Sequence, residues 1–277
     1  MSRRVHHLNC GTMCPFCERL VAGQGSWFKP GRLVCHCLLI ETPDGLVLVD
    51  TGLGRKDIAE PKRRLGGAFT TLCKPVLAPE ETALSQVEAL GFQVRDVRHI
   101  LPTHLDADHA GGLADFPEAQ IHVLAPELQQ IQHPTPRDLK RFRLAQFEHD
   151  PKWVVHTAPG ESWFGFDAIR PIPSADILMI PLIGHTMGHV GIAVREGDKW
   201  LLHCGDAYYH RDQLSATPRT SPALAFLEWW VQAQREPRLR NLARLRDLAA
   251  HHSDEVEIFC AHDPVEFARF TNTGLQA

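Results

Sequence analysis

Residues 96–112 read DVRHILPTHLDADHAGG, a strand-like segment followed by a loop rich in metal-binding groups. The apolar residues up to Leu101 predict a buried strand, and Pro102 ends it because proline has no N–H for a strand ladder. Four candidate metal ligands follow the strand: His104, Asp106, Asp108 and His109. Imidazole and carboxylate groups are the usual ligands of zinc, manganese and iron. The stretch therefore predicts a metal-binding loop at a strand end.

The loop resembles the signature of the metallo-β-lactamase superfamily, Thr-His-x-His-x-Asp-His-x-Gly-Gly. The chain departs from that signature at Asp106, where the family usually has a histidine. It agrees at Thr103, His104, Asp108, His109, Gly111 and Gly112. Segments at the ends of other apolar runs resemble further landmarks of the family: DTG at 50–52, GHTMGH at 184–189, CGDAYY at 204–209 and AHD at 261–263.

The resemblance covers most of the chain, from about residue 35 to residue 262, and implies an α/β fold. The family's architecture is an αββα sandwich, in which two mixed β-sheets pack together and helices cover the outer faces. We expect a single metallo-hydrolase domain over residues 1–277. Residues 125–175 are irregular and rich in aromatic residues, so they form either local core or a cap on the substrate side.

Local patterns predict several individual elements. A hairpin is expected over residues 33–50, and a helix over 79–90 with acidic residues in its first turn. Leucines at a spacing of three over residues 239–248 predict an amphipathic helix with its arginines in solvent. The basic run from Arg137 to Arg143 is interpreted as another solvated helix face rather than a binding site.

The resemblance also implies a ligand set for two divalent metal ions. Metal one takes three side chains, metal two takes three, and one carboxylate bridges them together with a hydroxide. A carboxylate can bridge because its two oxygens span cations about 3.5–4 Å apart. Metal one is assigned His104, Asp106 and His185, and metal two is assigned Asp108, His109 and His262. The bridging carboxylate is Asp206.

Other residues are expected to assist these ligands. Asp50 is expected to accept a hydrogen bond from a ligand histidine or nearby backbone, and His189 to support the backbone. Asp108 is also expected to steer or pass on a proton. Tyr209 matches a tyrosine of the lactone-cleaving branch, where a phenol can donate to a developing oxyanion. Tyr208 is the alternative for this role, and both tyrosines could instead be core.

Asp106 changes the chemistry that the resemblance implies. A third carboxylate lowers the net charge of the centre, so bound water becomes less acidic. Carboxylate is a harder ligand than imidazole, which shifts the preference from zinc toward manganese or iron. Three arrangements stay open: two metals with Asp106 as a ligand, one metal at the second position, or none.

The sequence resembles the N-acyl homoserine lactone lactonases, which implies quorum-quenching lactone hydrolysis by a metal-bound hydroxide. Ester, thioester and phosphodiester hydrolases share the same loop, so the fold alone does not select the substrate. A di-iron oxidoreductase is less favoured, because members of that kind resemble fusions with a flavin domain. A non-catalytic binding protein of the same fold is the third alternative.

The composition agrees with a globular protein that acts on a small molecule. The 277 residues are 44% hydrophobic and 22% charged, and the formal net charge is −4. This balance predicts no nucleic-acid partner, and no apolar run is long enough to span a membrane. We expect a cytoplasmic protein, since the N-terminal residues lack an apolar export signal. A homodimer is compatible with the sequence but not determined by it.

The eight cysteines have two interpretations. Cys10, Cys14 and Cys17 have a C-x3-C-x2-C spacing, which suits a structural metal site or a redox pair. A zinc site would need a fourth ligand from elsewhere, either Cys35, Cys37 or a histidine. The simpler interpretation is free thiols that pack as small apolar groups in a reducing compartment.

Overall fold

The computed structural model describes residues 4–157 and 160–271. Within them the strands are β1 (Val5–Met13), β2 (Leu33–Thr42), β3 (Gly45–Val49), β4 (Val97–Leu101), β5 (Gln120–Leu124), β6 (Lys152–His156), β7 (Glu161–Trp163), β8 (Phe166–Ala168), β9 (Ile177–Pro181), β10 (Val190–Glu196), β11 (Lys199–His203) and β12 (Val256–Phe259). The helices are α1 (Glu18–Ala22), α2 (Arg55–Ala59), α3 (Pro61–Arg64), α4 (Gly67–Leu72), α5 (Ala83–Ala89), α6 (Ala107–Ala110), α7 (Ala125–Gln132), α8 (Asp138–Arg141), α9 (Pro222–Val231), α10 (Arg235–His251) and α11 (Pro264–Thr271).

Two mixed β-sheets form the centre of the fold. The first has the order β1-β2-β3-β4-β5-β6, antiparallel from β1 to β3 and parallel from β3 to β6. The second has the order β12-β11-β10-β9, in which β11 and β12 are parallel and the other pairs are antiparallel. Strands β7 and β8 form a separate hairpin.

The two sheets face each other across one hydrophobic layer. Alternate side chains of β2 and β3 pack there against alternate side chains of β9 and β10, as the two-residue period of a strand requires. The opposite face of the first sheet packs on α5, and that of the second sheet packs on α10. This arrangement confirms the predicted αββα sandwich.

Some local predictions need correction. The helix expected over 79–90 is divided, because Pro79–Glu81 forms a 3-10 turn and α5 begins after the cap Thr82. Arg238 of α10 is buried rather than solvated, and its Nε donates to Gln232 Oε1 at 2.8 Å. In residues 125–175, β6 extends the first sheet; a capping role for the rest of that segment stays a prediction.

The cysteines and the helices bear on two further expectations. All eight cysteines are free thiols. Among residues 4–157 and 160–271, no metal-sized group of side chains includes Cys10, Cys14 or Cys17. In the same part of the chain, none of the helices combines the length and apolar character that crossing a membrane requires.

Candidate metal centre

The predicted metal loop, which follows β4, is fixed to the end of the neighbouring strand β3 by a buried carboxylate. Asp50 follows β3, and its Oδ1 accepts a hydrogen bond of 2.6 Å from the Thr103 backbone N–H. Its Oδ2 accepts one of 2.8 Å from His109 Nδ1. The predicted hydrogen bonds of Asp50 to nearby backbone and to a candidate ligand histidine are therefore present. Gly111 lets the metal loop approach α2 closely, because a Cβ at Gly111 would lie only 2.0 Å from Asp57 Oδ2.

The donors assigned to metal two converge on one small space. His109 Nε2 lies 3.2 Å from His262 Nε2 and 3.4 Å from Asp206 Oδ1. His262 Nε2 lies 3.1 Å from the same oxygen and 3.6 Å from Asp108 Oδ2. Around a tetrahedral zinc ion with bonds of about 2.0–2.1 Å, ligand atoms lie roughly 3.3 Å apart. The spacing of these donors therefore fits one divalent ion.

The tautomers of the two histidines support the same conclusion. His109 Nδ1 donates to Asp50, and His262 Nδ1 donates to the Val34 carbonyl at 2.8 Å. A neutral imidazole with its proton on Nδ1 carries a lone pair on Nε2, so both lone pairs point into the shared space. The buried Asp206 Oδ1 makes no hydrogen bond there. Two lone pairs and an unpaired carboxylate oxygen are a donor set that a metal cation satisfies.

The electrostatics of this space favour positive charge. Burial alone would lower the pKa of His109, but Asp206 and Asp50 raise that pKa well above its ordinary value. Burial alone would raise the pKa of Asp206, but His262 and His109 hold it well below its ordinary value. The Asp206 carboxylate therefore stays ionised, and its negative charge stabilises a cation in this space.

The donors assigned to metal one also lie together. Asp106 Oδ2 is 3.2 Å from His104 Nε2 and 3.1 Å from His185 Nε2. His104 Nε2 is buried and makes no hydrogen bond, while His104 Nδ1 lies 3.0 Å from Thr103 Oγ1. The structure thus brings together all three residues that the sequence assigned to the first position.

A fourth residue, Arg141 at the end of α8, enters the first position. Its Nε donates to Asp106 Oδ1 at 2.6 Å and its Nη2 to Asp106 Oδ2 at 2.5 Å. Nη2 also donates to His185 Nε2 at 2.6 Å. The interpretation of the 137–143 run as a solvated face is therefore wrong for Arg141. The acidic residue in place of the motif histidine indicates that a cation lies nearby, but it does not indicate which residue supplies the charge.

The sequence profile of the metallo-beta-lactamase superfamily matches residues 30–252. The chain belongs to this superfamily. It is similar to a probable metallo-hydrolase of Mycobacterium tuberculosis, Rv2300c, with 43% identity over 264 residues that cover 94% of this chain and 80% of the relative. The chain is accordingly a metallo-hydrolase.

Relatives of the superfamily with a named substrate are more distant. The N-acyl homoserine lactonase AttM of Rhizobium radiobacter is 26% identical over 271 residues, covering 96% of this chain and 95% of AttM. The crystal structure of a B. thuringiensis AiiA mutant with N-decanoyl-L-homoserine at its active site has a TM-score of 0.72 and 19% identity. It covers 97% of this chain and 96% of AiiA, and at that identity it shows the shared fold.

The two tyrosines after Asp206 have different surroundings in this superfamily member. Tyr209 places its hydroxyl 3.3 Å from His185 Nδ1, beside the candidate metal ligands. Tyr208 is fully buried and donates to Glu266 at 3.0 Å. The structure therefore brings Tyr209 to the centre and places Tyr208 in the core.

Two residues near the centre were not singled out as site residues. Glu127 is buried and accepts hydrogen bonds from the backbone of Leu105 and Gly188 at 2.8 and 2.9 Å, joining two ligand loops. Burial raises the pKa of Glu127 to about 7. Cys35 groups with Asp108 and His262 within 4.8 Å. The sequence pattern did not mark either residue as part of a site. Glu127 has the position of an acidic residue in the first turn of a helix, and Cys35 has that of a core residue in a strand.

His189 supports the backbone of the centre, as the sequence predicted. His189 Nε2 accepts a hydrogen bond of 3.0 Å from the Asp206 backbone N–H. Its Nδ1 lies 3.2 Å from the Leu182 carbonyl. His189 therefore holds the Asp206 loop against β9 and supports the backbone.

Proposed function

We propose that this metallo-hydrolase opens a lactone ring, with an N-acyl homoserine lactone as the favoured substrate. The convergence of His109, His262 and Asp206 beside the Tyr209 hydroxyl carries the proposal. The relative AttM, whose name gives the same activity, agrees with it. A divalent ion, which we propose to be zinc, manganese or iron, would be held by Asp108, His109, Asp206 and His262.

The chain's own groups divide the chemistry between them. A bound divalent ion would lower the pKa of water so that a nucleophile exists near neutral pH. Asp108, next to His262, is placed to receive or pass on a proton. The Asp206 carboxylate stays ionised because His262 and His109 hold its pKa well below its ordinary value, and Asp50 keeps His109 in the tautomer that binds a metal.

Tyr209 is suited to assist the leaving oxygen. Arg141 donates to His185 Nε2, so the ring proton of His185 lies on Nδ1 and is directed at the Tyr209 oxygen. The phenol proton of Tyr209 then remains available to a substrate oxygen. A donor placed where negative charge develops is among the largest contributions that an enzyme makes to rate.

Apolar surface beside the centre suits an acyl chain. Helix α9 exposes the aromatic residues Phe226, Trp229 and Trp230. The end of α9 reaches the centre, because Arg141 donates to the Val231 carbonyl at 2.5 Å. A substrate with an apolar tail attached to a lactone would contact both the donors and this surface.

The first test is acid release from N-acyl homoserine lactones of different chain length, followed with a pH indicator. Protein loaded with zinc or manganese is expected to turn over the lactones, and a chelator is expected to abolish turnover until the ion is restored. Bound metal without lactone turnover, together with hydrolysis of a thioester or phosphodiester, would reject the substrate class. That result would leave the metal centre in place.

Tyr209→Phe is expected to lower kcat for lactones ~10- to 100-fold with little change in KM, because it removes a donor that acts on charge formed during the reaction. Tyr208→Phe is the matched control. It should lower stability by about 1 kcal/mol through loss of the Glu266 hydrogen bond and leave kcat unchanged. Equal kcat values for the two variants would remove Tyr209 from the mechanism.

A further inference from the structure

We propose that Arg141 holds the first cation position of the centre, so that this chain binds a single divalent ion, at the second position. The proposal rests on the metal-dependent part of the proposed function and not on its substrate. It departs from the pair of ions that the sequence resemblance implies, and the departure follows from contacts of Arg141.

The Arg141 guanidinium occupies the lone pairs that a first metal would need. It binds both oxygens of Asp106 in a fork and donates to His185 Nε2. Of the three side chains assigned to metal one, His104 alone keeps its donor atom free of a hydrogen bond. An ion cannot bind Asp106 and His185 there unless the guanidinium first leaves.

Every N–H group of the same guanidinium donates a hydrogen bond where it lies. It has five N–H groups, and two of these, on Nη1, donate to the carbonyls of His185 at 2.9 Å and Val231 at 2.5 Å. The other three donate to Asp106 and His185. No N–H group is left over, so the position is shaped for a planar five-donor cation. A metal ion could not replace the donor that Nη1 gives to the Val231 carbonyl, whereas the His185 carbonyl also accepts from the Ala233 backbone N–H at 2.9 Å.

The segment that carries Arg141 is itself anchored. Arg137, one turn earlier, donates to the carbonyls of Trp230 and Gln232 at 2.9 and 2.8 Å. Asp138 binds the Thr135 backbone N–H at 3.0 Å and accepts from Gln130 Nε2 at 3.0 Å. Arg141 is therefore presented by a segment fixed to both α7 and α9.

The charges agree with this exchange of an ion for an arginine. Asp106 and Arg141 neutralise each other, whereas the usual motif histidine would offer the guanidinium no charge. Both side chains are largely buried, with 17% and 16% of their surface exposed, and breaking a buried pair is unfavourable. On that ground we expect the first position to bind zinc at least about 100-fold more weakly than the second.

The remaining donors still serve one ion. His104 Nε2 lies 3.9 Å from Asp206 Oδ2, and His104, His109 and Asp206 form a metal-sized group. His104 thus borders the second position. Arg141 makes no contact with that group of donors, so it is a positioning residue for Asp106 and His185.

The test is the number of metal ions bound per chain. The full-length protein is loaded with excess manganese, freed of unbound ions and measured by elemental analysis and electron paramagnetic resonance. The wild type is expected to hold a single ion with the spectrum of an isolated manganese. Two ions per chain with a spin-coupled spectrum would overturn the proposal, and this measurement needs no variant.

Variants identify the residue responsible. The double variant Asp106→His with Arg141→Met is expected to bind a second ion, because it removes the arginine and restores the motif ligand. Arg137→Met removes an arginine from the same segment that does not touch Asp106, and it should stay at one ion. A double variant that folds, by circular dichroism, and still binds one ion would reject the role of Arg141.

The outcomes separate this inference from the proposed function. One ion per chain without lactone hydrolysis overturns only the substrate class. Lactone hydrolysis with two coupled ions overturns only the role of Arg141. Absence of any bound ion after loading overturns both.

Discussion

Asp206→Asn is expected to lower kcat/KM by about 10³-fold or more, the largest effect of any single substitution in the centre. Asp206 Oδ1 lies within 3.4 Å of the Nε2 atoms of His109 and His262. The amide removes the charge that balances a bound cation and presents either a weak acceptor or an N–H group to them. The measurement is kcat/KM at saturating metal, with metal content determined on the same sample.

Asp57→Asn is the control for loss of a buried carboxylate. Asp57 is fully buried and pairs with Arg64 at 2.7 Å. It packs against the metal loop at Gly111 but is not itself a candidate ligand. This variant is expected to lose stability and to keep its metal ion, whereas Asp206→Asn loses the ion. If Asp206→Asn retained both its metal and its turnover, Asp206 would not be a ligand.

Asp50→Ala is expected to produce the largest loss of stability, about 3–5 kcal/mol in the free energy of unfolding. The substitution removes the acceptor of the Thr103 backbone N–H and of His109 Nδ1. The buried Thr103 N–H loses its partner, and His109 Nδ1 keeps only the longer contact of 3.4 Å to Thr103 Oγ1. Metal affinity is expected to fall ~10- to 100-fold, because His109 loses the hydrogen bond that sets its tautomer. Denaturant unfolding of metal-free protein and a competitive metal titration measure the two effects separately.

Asp50→Asn separates the two functions of the carboxylate. Its amide oxygen can still accept from Thr103, but its NH2 group cannot accept from His109. We therefore expect a smaller loss of stability than in Asp50→Ala and a similar loss of metal affinity. Wild-type affinity in both variants would show that the tautomer of His109 does not depend on Asp50.

The sandwich was predictable because its landmarks are local. The first candidate ligand of each loop follows an apolar run by one to three residues, so a strand-end position can be inferred without knowledge of distant contacts. The continuous apolar runs of β2 and β3 agree with strands that are buried on both faces, and the leucine spacing of α10 predicts its buried face. Boundaries were less predictable: Pro79 and Thr82 compete to begin a helix, and the cap Thr82 prevails.

The electrostatic partners of the site were harder to predict. Glu127 and Arg141 lie on short helices whose sequences look like ordinary solvated segments. Glu127 becomes a site residue only when α7 packs against the loops of Leu105 and Gly188. A sequence pattern with a period of a few residues contains no information about such pairings.

The sequence by itself determined which donor types are present, their order, and their placement at strand ends, because these depend on neighbours within a few residues. It also determined that Asp106 adds a negative charge. Only the tertiary structure decided what neutralises that charge. Arg141 lies 35 residues from Asp106 and 44 from His185 along the chain. The packing of α8 against α9 directs its guanidinium into the position that a metal was expected to take.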